Sequence, residues 1–106
     1  MNEYKTIYNL LVYDNDLGKM KWKDALKACE NLGNGWRLPT KEELILLLEN
    51  KEIVGNFGDR TYWSSTKNKA LFGLLFSNAF YVNFKHGTCF DISQNEEYYV
   101  RPVKTK

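Results

Sequence analysis

Residues 33–44, GNGWRLPTKEEL, press a tryptophan, an arginine and a proline against a threonine and two glutamates. Such a mixture builds either a reactive centre or the start of a helix, and the spacing separates the two. Thr40 precedes Glu43 by three residues and an apolar run follows, which is the pattern of a capping box. The Thr40 hydroxyl can accept from the Glu43 backbone N–H, and the Glu43 carboxylate can reach back to the Thr40 N–H. Pro39 keeps Leu38 extended on entry. Glu42 and Glu43 stand where the helix dipole favours negative charge. Leu44 to Leu48, LILLL, then continues as a helix buried on most sides.

Working outward, the segment before this stretch reads as a first helix. Apolar residues recur at Trp22, Ala25, Leu26, Cys29 and Leu32, a helical stripe, and Gly33 suits the position just past its end. Upstream, Thr6 to Tyr13, TIYNLLVY, reads as one strand, and Asp14 to Gly18 as a turn. Asp14 and Asp16 do not open a calcium loop, because Lys19 and Ala25 occupy the places of its glycine and glutamate. Downstream, 51–61 reads as a loop. Strands follow at Thr61–Thr66, Asn78–Phe84 and across TCFDI, the last two joined by a tight turn at His86-Gly87. Tyr98–Val103 is a final strand, placed at an edge or end by Pro102.

Helices early and strands late predict an α+β fold with two helices packed on antiparallel sheets. The N-terminal strand is most easily buried by pairing with the C-terminal one. The 106 residues are read as one domain, 1–106, large enough to bury about two-thirds of its unfolded surface. The net charge of +2 gives no basic stripe for nucleic acid, and no apolar run is long enough for membrane insertion. The N-terminus lacks the continuous apolar core of a secretion signal, so the chain as given is expected to be soluble or already trimmed. Cys29 and Cys89 allow one disulfide without requiring it. With the single His86 they do not make up a zinc site, so no metal or cofactor is expected.

Five blocks appear in a familiar order: W..A...C..LG (22–33), GWRLPTKEEL, YWSST, A.YVNF..G (79–87) and YYVRPV. Together they cover nearly the whole chain. They resemble a bacterial domain of unknown function typified by the C-terminal domain of the Legionella collagen-like adhesin. The resemblance implies a C-type-lectin-like fold, in which early helices and aromatics build the frame and later strands with their loops present a ligand surface. A more distant similarity links W..A...C..L and RLPT..E to the sulfatase-modifying, formylglycine-generating enzymes. This chain is much shorter and lacks a reactive cysteine pair. Members of the family often carry a cysteine where this chain has Pro102, able to pair with the cysteine of the first helix; the resemblance thus implies that Cys29 has lost that partner. A second departure is ALFGLLFSN, 70–78, where the family is usually polar.

Each reactive-looking residue has a structural reading. Arg37 and Arg101 are expected to tie the frame through their planar guanidinium groups, with Ser64 and Ser65 binding backbone or Arg37. Trp22, Trp36 and Trp63 are expected in the core, while Pro39, Thr40 and Glu43 make the helix start. His86 lies in a turn and offers no base to a serine nucleophile. The calcium triplets of lectins, Glu-Pro-Asn or Gln-Pro-Asp with Trp-Asn-Asp, are absent. The expectation is a non-enzymatic, calcium-independent binding module for a protein or glycan at a cell or phage surface. Its contacts would be Tyr81, Asn83 and Lys85 on the exposed side of the later strands, with Lys67, Asn68 and His86 in the loops. The alternative is an assembly subunit that forms a homo-oligomer through Leu71, Phe72, Leu74, Leu75 and Phe76; the bland reading of that run is an extra strand over the core.

Overall fold

The computed structural model describes residues 4–69 and 77–106. Among these residues, eight strands and three helices follow in the order β1 (Tyr4–Ile7), β2 (Leu10–Tyr13), β3 (Lys19–Lys21), α1 (Trp22–Glu30), α2 (Lys41–Glu49), α3 (Lys51–Val54), β4 (Thr61–Lys69), β5 (Ser77–Asn83), β6 (Thr88–Ser93), β7 (Glu97–Tyr99) and β8 (Val103–Thr105). They form a three-stranded sheet, β1-β2-β8, and a five-stranded sheet, β3-β7-β4-β5-β6. Pairing is antiparallel except at one parallel bridge, Tyr62 to Tyr99.

Helix α2 begins as the sequence requires. The Thr40 side chain accepts from the Glu43 N–H at 3.1 Å, and Glu43 Oε1 accepts from the Thr40 N–H at 2.8 Å. Leu44 and Leu47 are buried and Ile45 faces out, so the helix is covered on one side rather than most. Helix α1 buries Trp22, Ala25 and Cys29 of the expected stripe, Leu26 is half-buried, and Leu32 lies past the helix end. Gly33, beyond its end, has φ of +72°, a left-handed conformation that costs glycine little.

The five-stranded sheet divides two interiors. Tyr62, Val82 and Phe84 point to the side covered by α2 and the three-stranded sheet, joining Leu10, Val12, Leu44, Leu47 and Val103. Trp63 and Ala79 point the other way, to α1, with Trp22, Cys29, Leu38 and Val100. Successive strand residues face opposite sides, and here both sides are covered. The two free cysteines fall on opposite sides: Cys29 is buried against α1's interior and Cys89 packs against the other. A disulfide between them is incompatible with this arrangement.

Four local expectations need correction. The single strand Thr6–Tyr13 is a hairpin, because the chain reverses at Tyr8-Asn9 with Tyr8 at φ of +53°. Neither glycine nor proline marks that turn, so the unbroken β-forming run concealed it. Residues 51–54 of the expected loop form α3. Lys19–Lys21, unassigned in the sequence reading, pair with β7 as β3. The final strand is broken into β7 and β8, since Arg101 is drawn out of the ladder into a buried polar network. The expected pairing of chain ends holds, through Leu10–Thr105 and Val12–Val103. The apolar run Leu71, Phe72, Leu74, Leu75 and Phe76 lies outside the described residues.

Candidate ligand-binding face

The network around Arg101 answers the first question about reactivity. Arg101 is fully buried. Its Nε donates to Asp16 Oδ1 at 2.9 Å, Nη1 to the carbonyls of Tyr13 and Gly55 at 3.3 and 3.2 Å, and Nη2 to the Asn56 carbonyl at 2.6 Å. The Phe57 ring lies 4.1 Å from the guanidinium carbon. Asp16, with a side chain 7% exposed, also accepts from Arg60 Nη1 at 2.7 Å and from the Tyr62 hydroxyl at 2.8 Å. Both charges are matched and surrounded by donors and acceptors, the condition under which a buried pair is tolerated. Burial, followed by the Asp16 hydrogen bond, pushes the Tyr62 hydroxyl well above the usual tyrosine range. The arrangement ties three loops together.

Arg37 and Glu43 stand side by side as a fork-to-fork pair, Nη1–Oε1 2.7 Å and Nη2–Oε2 2.9 Å. Arg37 Nη2 also donates to Thr105 Oγ1 at 3.1 Å, and the Arg37 backbone bridges to Val103. Of the two partners expected for the serines, backbone or Arg37, Ser64 takes backbone: its Oγ donates to the Phe80 carbonyl at 2.8 Å, and the Ser65 N–H donates to the Pro39 carbonyl. The hydrogen bond from Arg37 holds the Glu43 carboxyl below its usual range, burial opposes this, and the Thr40 N–H adds to the lowering. A carboxylate whose folded value lies below its unfolded one, about 4.3, stabilises fully above that value. Its contribution is lost as pH falls through the lower folded value. Glu43→Gln is therefore expected to flatten this acid-side loss, seen by urea unfolding across the carboxylate range, and to lower stability at neutral pH.

Both thiols are raised above the usual cysteine range. Burial, then the nearby Glu30 charge, pushes Cys29 up to about 12. Cys89 is also raised, mainly by burial. Trp36 is buried beside Tyr13, with ring centres 5.2 Å apart, and Lys104 Nζ sits 4.9 Å from its ring centre. Trp22 Nε1 donates to the Ser64 carbonyl and Trp63 Nε1 to the Met20 carbonyl, both at 2.8 Å.

The face of the five-stranded sheet that carries Trp63 holds a continuous row of large side chains. Met20 of β3 pairs with Tyr98 of β7, Trp63 of β4 with Tyr81 of β5, and Tyr81 with Phe90 of β6. Trp63 and Tyr98 ring centres are 5.0 Å apart, and Tyr81 and Tyr98 are 5.1 Å apart. The row runs from a fully buried Trp63 to Phe90, which is 59% exposed. Tyr81 was expected to project freely; it is half-buried, because this face packs on α1's interior as well. The open end of the row is Phe90, which sequence reading passed over. Its signal lay in TCFDI, where alternation places Phe90 and Ile92 on one face and Cys89 and Asp91 on the other.

The remaining expected contacts separate into three places, and Lys67 and Asn68, expected in a loop, stand instead in β4, which runs past its expected end at Thr66 to Lys69. Lys67 and Asn83 share the face of Tyr81, with Lys67 Nζ 5.6 Å from the Trp22 ring centre. Asn68 lies on the opposite face, bonded to Asp91, whose other oxygen accepts from Asn78 Nδ2 at 3.5 Å. Lys85 and His86 are exposed in the β5–β6 turn, where both backbone N–H groups donate to Asn83 Oδ1 at 2.9 and 3.1 Å. Asn83 thus shapes the turn as well as facing outward. Gly87 completes the turn with φ of +70°.

Comparison with solved structures gives the fold. Botrocetin superposes with a TM-score of 0.69 at 11% identity, covering 98% of this chain and 97% of its own. Botrocetin in complex with a mutant von Willebrand factor A1 domain gives 0.64 at 13% identity, covering 98% and 97%. EMS16, described as an antagonist of the collagen receptor integrin alpha2beta1, gives 0.67 at 11% identity, covering 98% of both chains. The architecture is C-type-lectin-like. No curated protein matches the sequence. The model of the Lcl C-terminal domain matches residues 5–104, and the chain belongs to that family.

Proposed function

We propose that this domain is a non-enzymatic, calcium-independent binding module that grips a protein ligand on the outer half of the aromatic row. The observation that carries the reading is the row's open end, where an exposed Phe90 continues a ladder anchored on buried Trp63. Rigidly seated aromatics give contact area with little loss of rotamer freedom, which suits recognition. Lys67 and Asn83 on the same face, with Lys85 and His86 at the turn, supply polar contacts at the margin. The charged groups that could have been reactive, Arg37, Glu43, Asp16 and Arg101, are bound to one another. Fold relatives described in complex with a von Willebrand factor domain, or as an integrin antagonist, favour a protein over a sugar as ligand.

Screening the immobilised chain against surface-protein and glycan arrays, with chelator present, tests this. A protein partner retained in chelator is expected. Phe90→Ser and Tyr81→Ala, each shown to be folded, should weaken it at least about tenfold, as for buried aromatic anchors. Binding competed by free sugar, lost in chelator, or unchanged in both variants would overturn the reading.

A further inference from the structure

Strand β6 closes the five-stranded sheet, and among the described residues nothing pairs with its outer edge. Natural edges are usually blunted by lysine, proline, a bulge or brevity. Among the described residues β6 carries no lysine, proline or bulge. Its six residues, TCFDIS, pair with β5 in unbroken register from Asn83–Thr88 to Asn78–Ser93. Its one charge, Asp91, is held by the side-chain amides of Asn68 and Asn78. The groups such an edge offers are backbone donors and acceptors, which another strand satisfies.

We infer that this edge takes β6 of a second copy of the chain, antiparallel, with Phe90 of each copy at the twofold axis. Three observations select that occupant and register. First, a twofold normal to the sheet keeps the same face up in both copies, so only residues of like orientation can stand opposite each other. Two registers of this kind pair most of β6: one sets Phe90 against Phe90 of the partner, the other Asp91 against Asp91. Like charges directly opposed are destabilising and aromatic pairs favourable, so the first wins. Second, that register carries the aromatic row through the axis and sets the two Phe90 side chains, each 59% exposed in the single chain, next to each other on one composite face that stays open to a ligand. Third, the antiparallel arrangement brings Lys85 in the turn of one copy toward the Gln94–Glu96 end of the other, where Glu96 is of opposite charge. The sheet becomes ten-stranded, and the faces bearing Tyr81 and Lys67 lie side by side. The inference stands without the ligand reading above: the edge can associate whether or not the face binds anything.

Light scattering and sedimentation of the purified chain over a wide concentration range should give a dimer in equilibrium with monomer. Phe90→Lys, which opposes two lysines at the axis, should move the chain to monomer with its circular dichroism unchanged. Thr88→Lys is a second edge variant that leaves Phe90 in place and should weaken association in the same direction. In a Cys89→Ser background, Phe90→Cys should cross-link two copies on mild oxidation, and Asp91→Cys should do so much less. A strictly monomeric wild type overturns the inference. So does a dimer indifferent to Phe90→Lys and Thr88→Lys, which would point to another surface. A dimer that cross-links through Asp91→Cys in preference overturns the register. Ligand binding by a monomeric wild type would leave the proposed function standing while this inference fell.

Discussion

Replacing Arg101 with leucine should cost about 3–5 kcal/mol, the loss expected when one partner of a buried ion pair is removed. Domains of this size are stable by about 5–15 kcal/mol, so the variant should be near its unfolding threshold. The reason lies in what is left behind. Asp16, 7% exposed, keeps Arg60 and Tyr62 but loses the guanidinium that faced Oδ1, and the carbonyls of Tyr13, Gly55 and Asn56 lose their shared donor. Arg101→Lys should recover only part, because one ammonium cannot reproduce the planar fork toward three carbonyls and a carboxylate. The double variant Arg101→Leu with Asp16→Leu should lose less than the two single losses added, since neither charge is then stranded. Urea unfolding of the wild type and the four variants, Asp16→Leu alone included, measures this. A loss below about 1 kcal/mol for Arg101→Leu, the size of a surface pair, would contradict the account.

Trp63→Ala should be comparable, with a loss of about 3–5 kcal/mol typical of large aromatics removed from a core. Trp63 is fully buried at the centre of the row, packs on Tyr98, and donates to the Met20 carbonyl across to β3. Trp63→Phe separates these contributions. It keeps much of the ring contact and deletes the donor, leaving a carbonyl without its partner, and should cost on the order of 1–3 kcal/mol. Thermal and urea unfolding of both variants test the order. If Trp63→Phe equals Trp63→Ala, the packing argument fails.

The two predictions also mark what could be read in advance. The capped helix was legible because its information is local: Thr40, Glu43 and the leucines that follow sit within one turn or two of each other. The stripe of α1 was legible for the same reason. Asp16 was not, because its meaning depends on Arg101, Arg60 and Tyr62, far away in sequence, and a DNDLG cluster by itself reads only as a turn. Tyr81 was assigned outward because alternation assumes one wet face, whereas this sheet has an interior on each side. Phe90 escaped notice for the complementary reason: alternation within TCFDI gives the face it stands on, but the strand's outermost place in the sheet is set by pairing far away in sequence. The Tyr8 turn was hidden because the residue at its tip has neither of the usual breakers.

Having an interior on each side of one sheet bears on how such a domain can diversify. The side held by α2 and the paired chain ends secures the frame, and the side with α1 carries the aromatic row outward. Changes confined to the outer positions of that row touch few of the contacts that keep the other half assembled, and distant sites act nearly independently. Substitutions at those outer positions are therefore expected to leave the scaffold beneath intact.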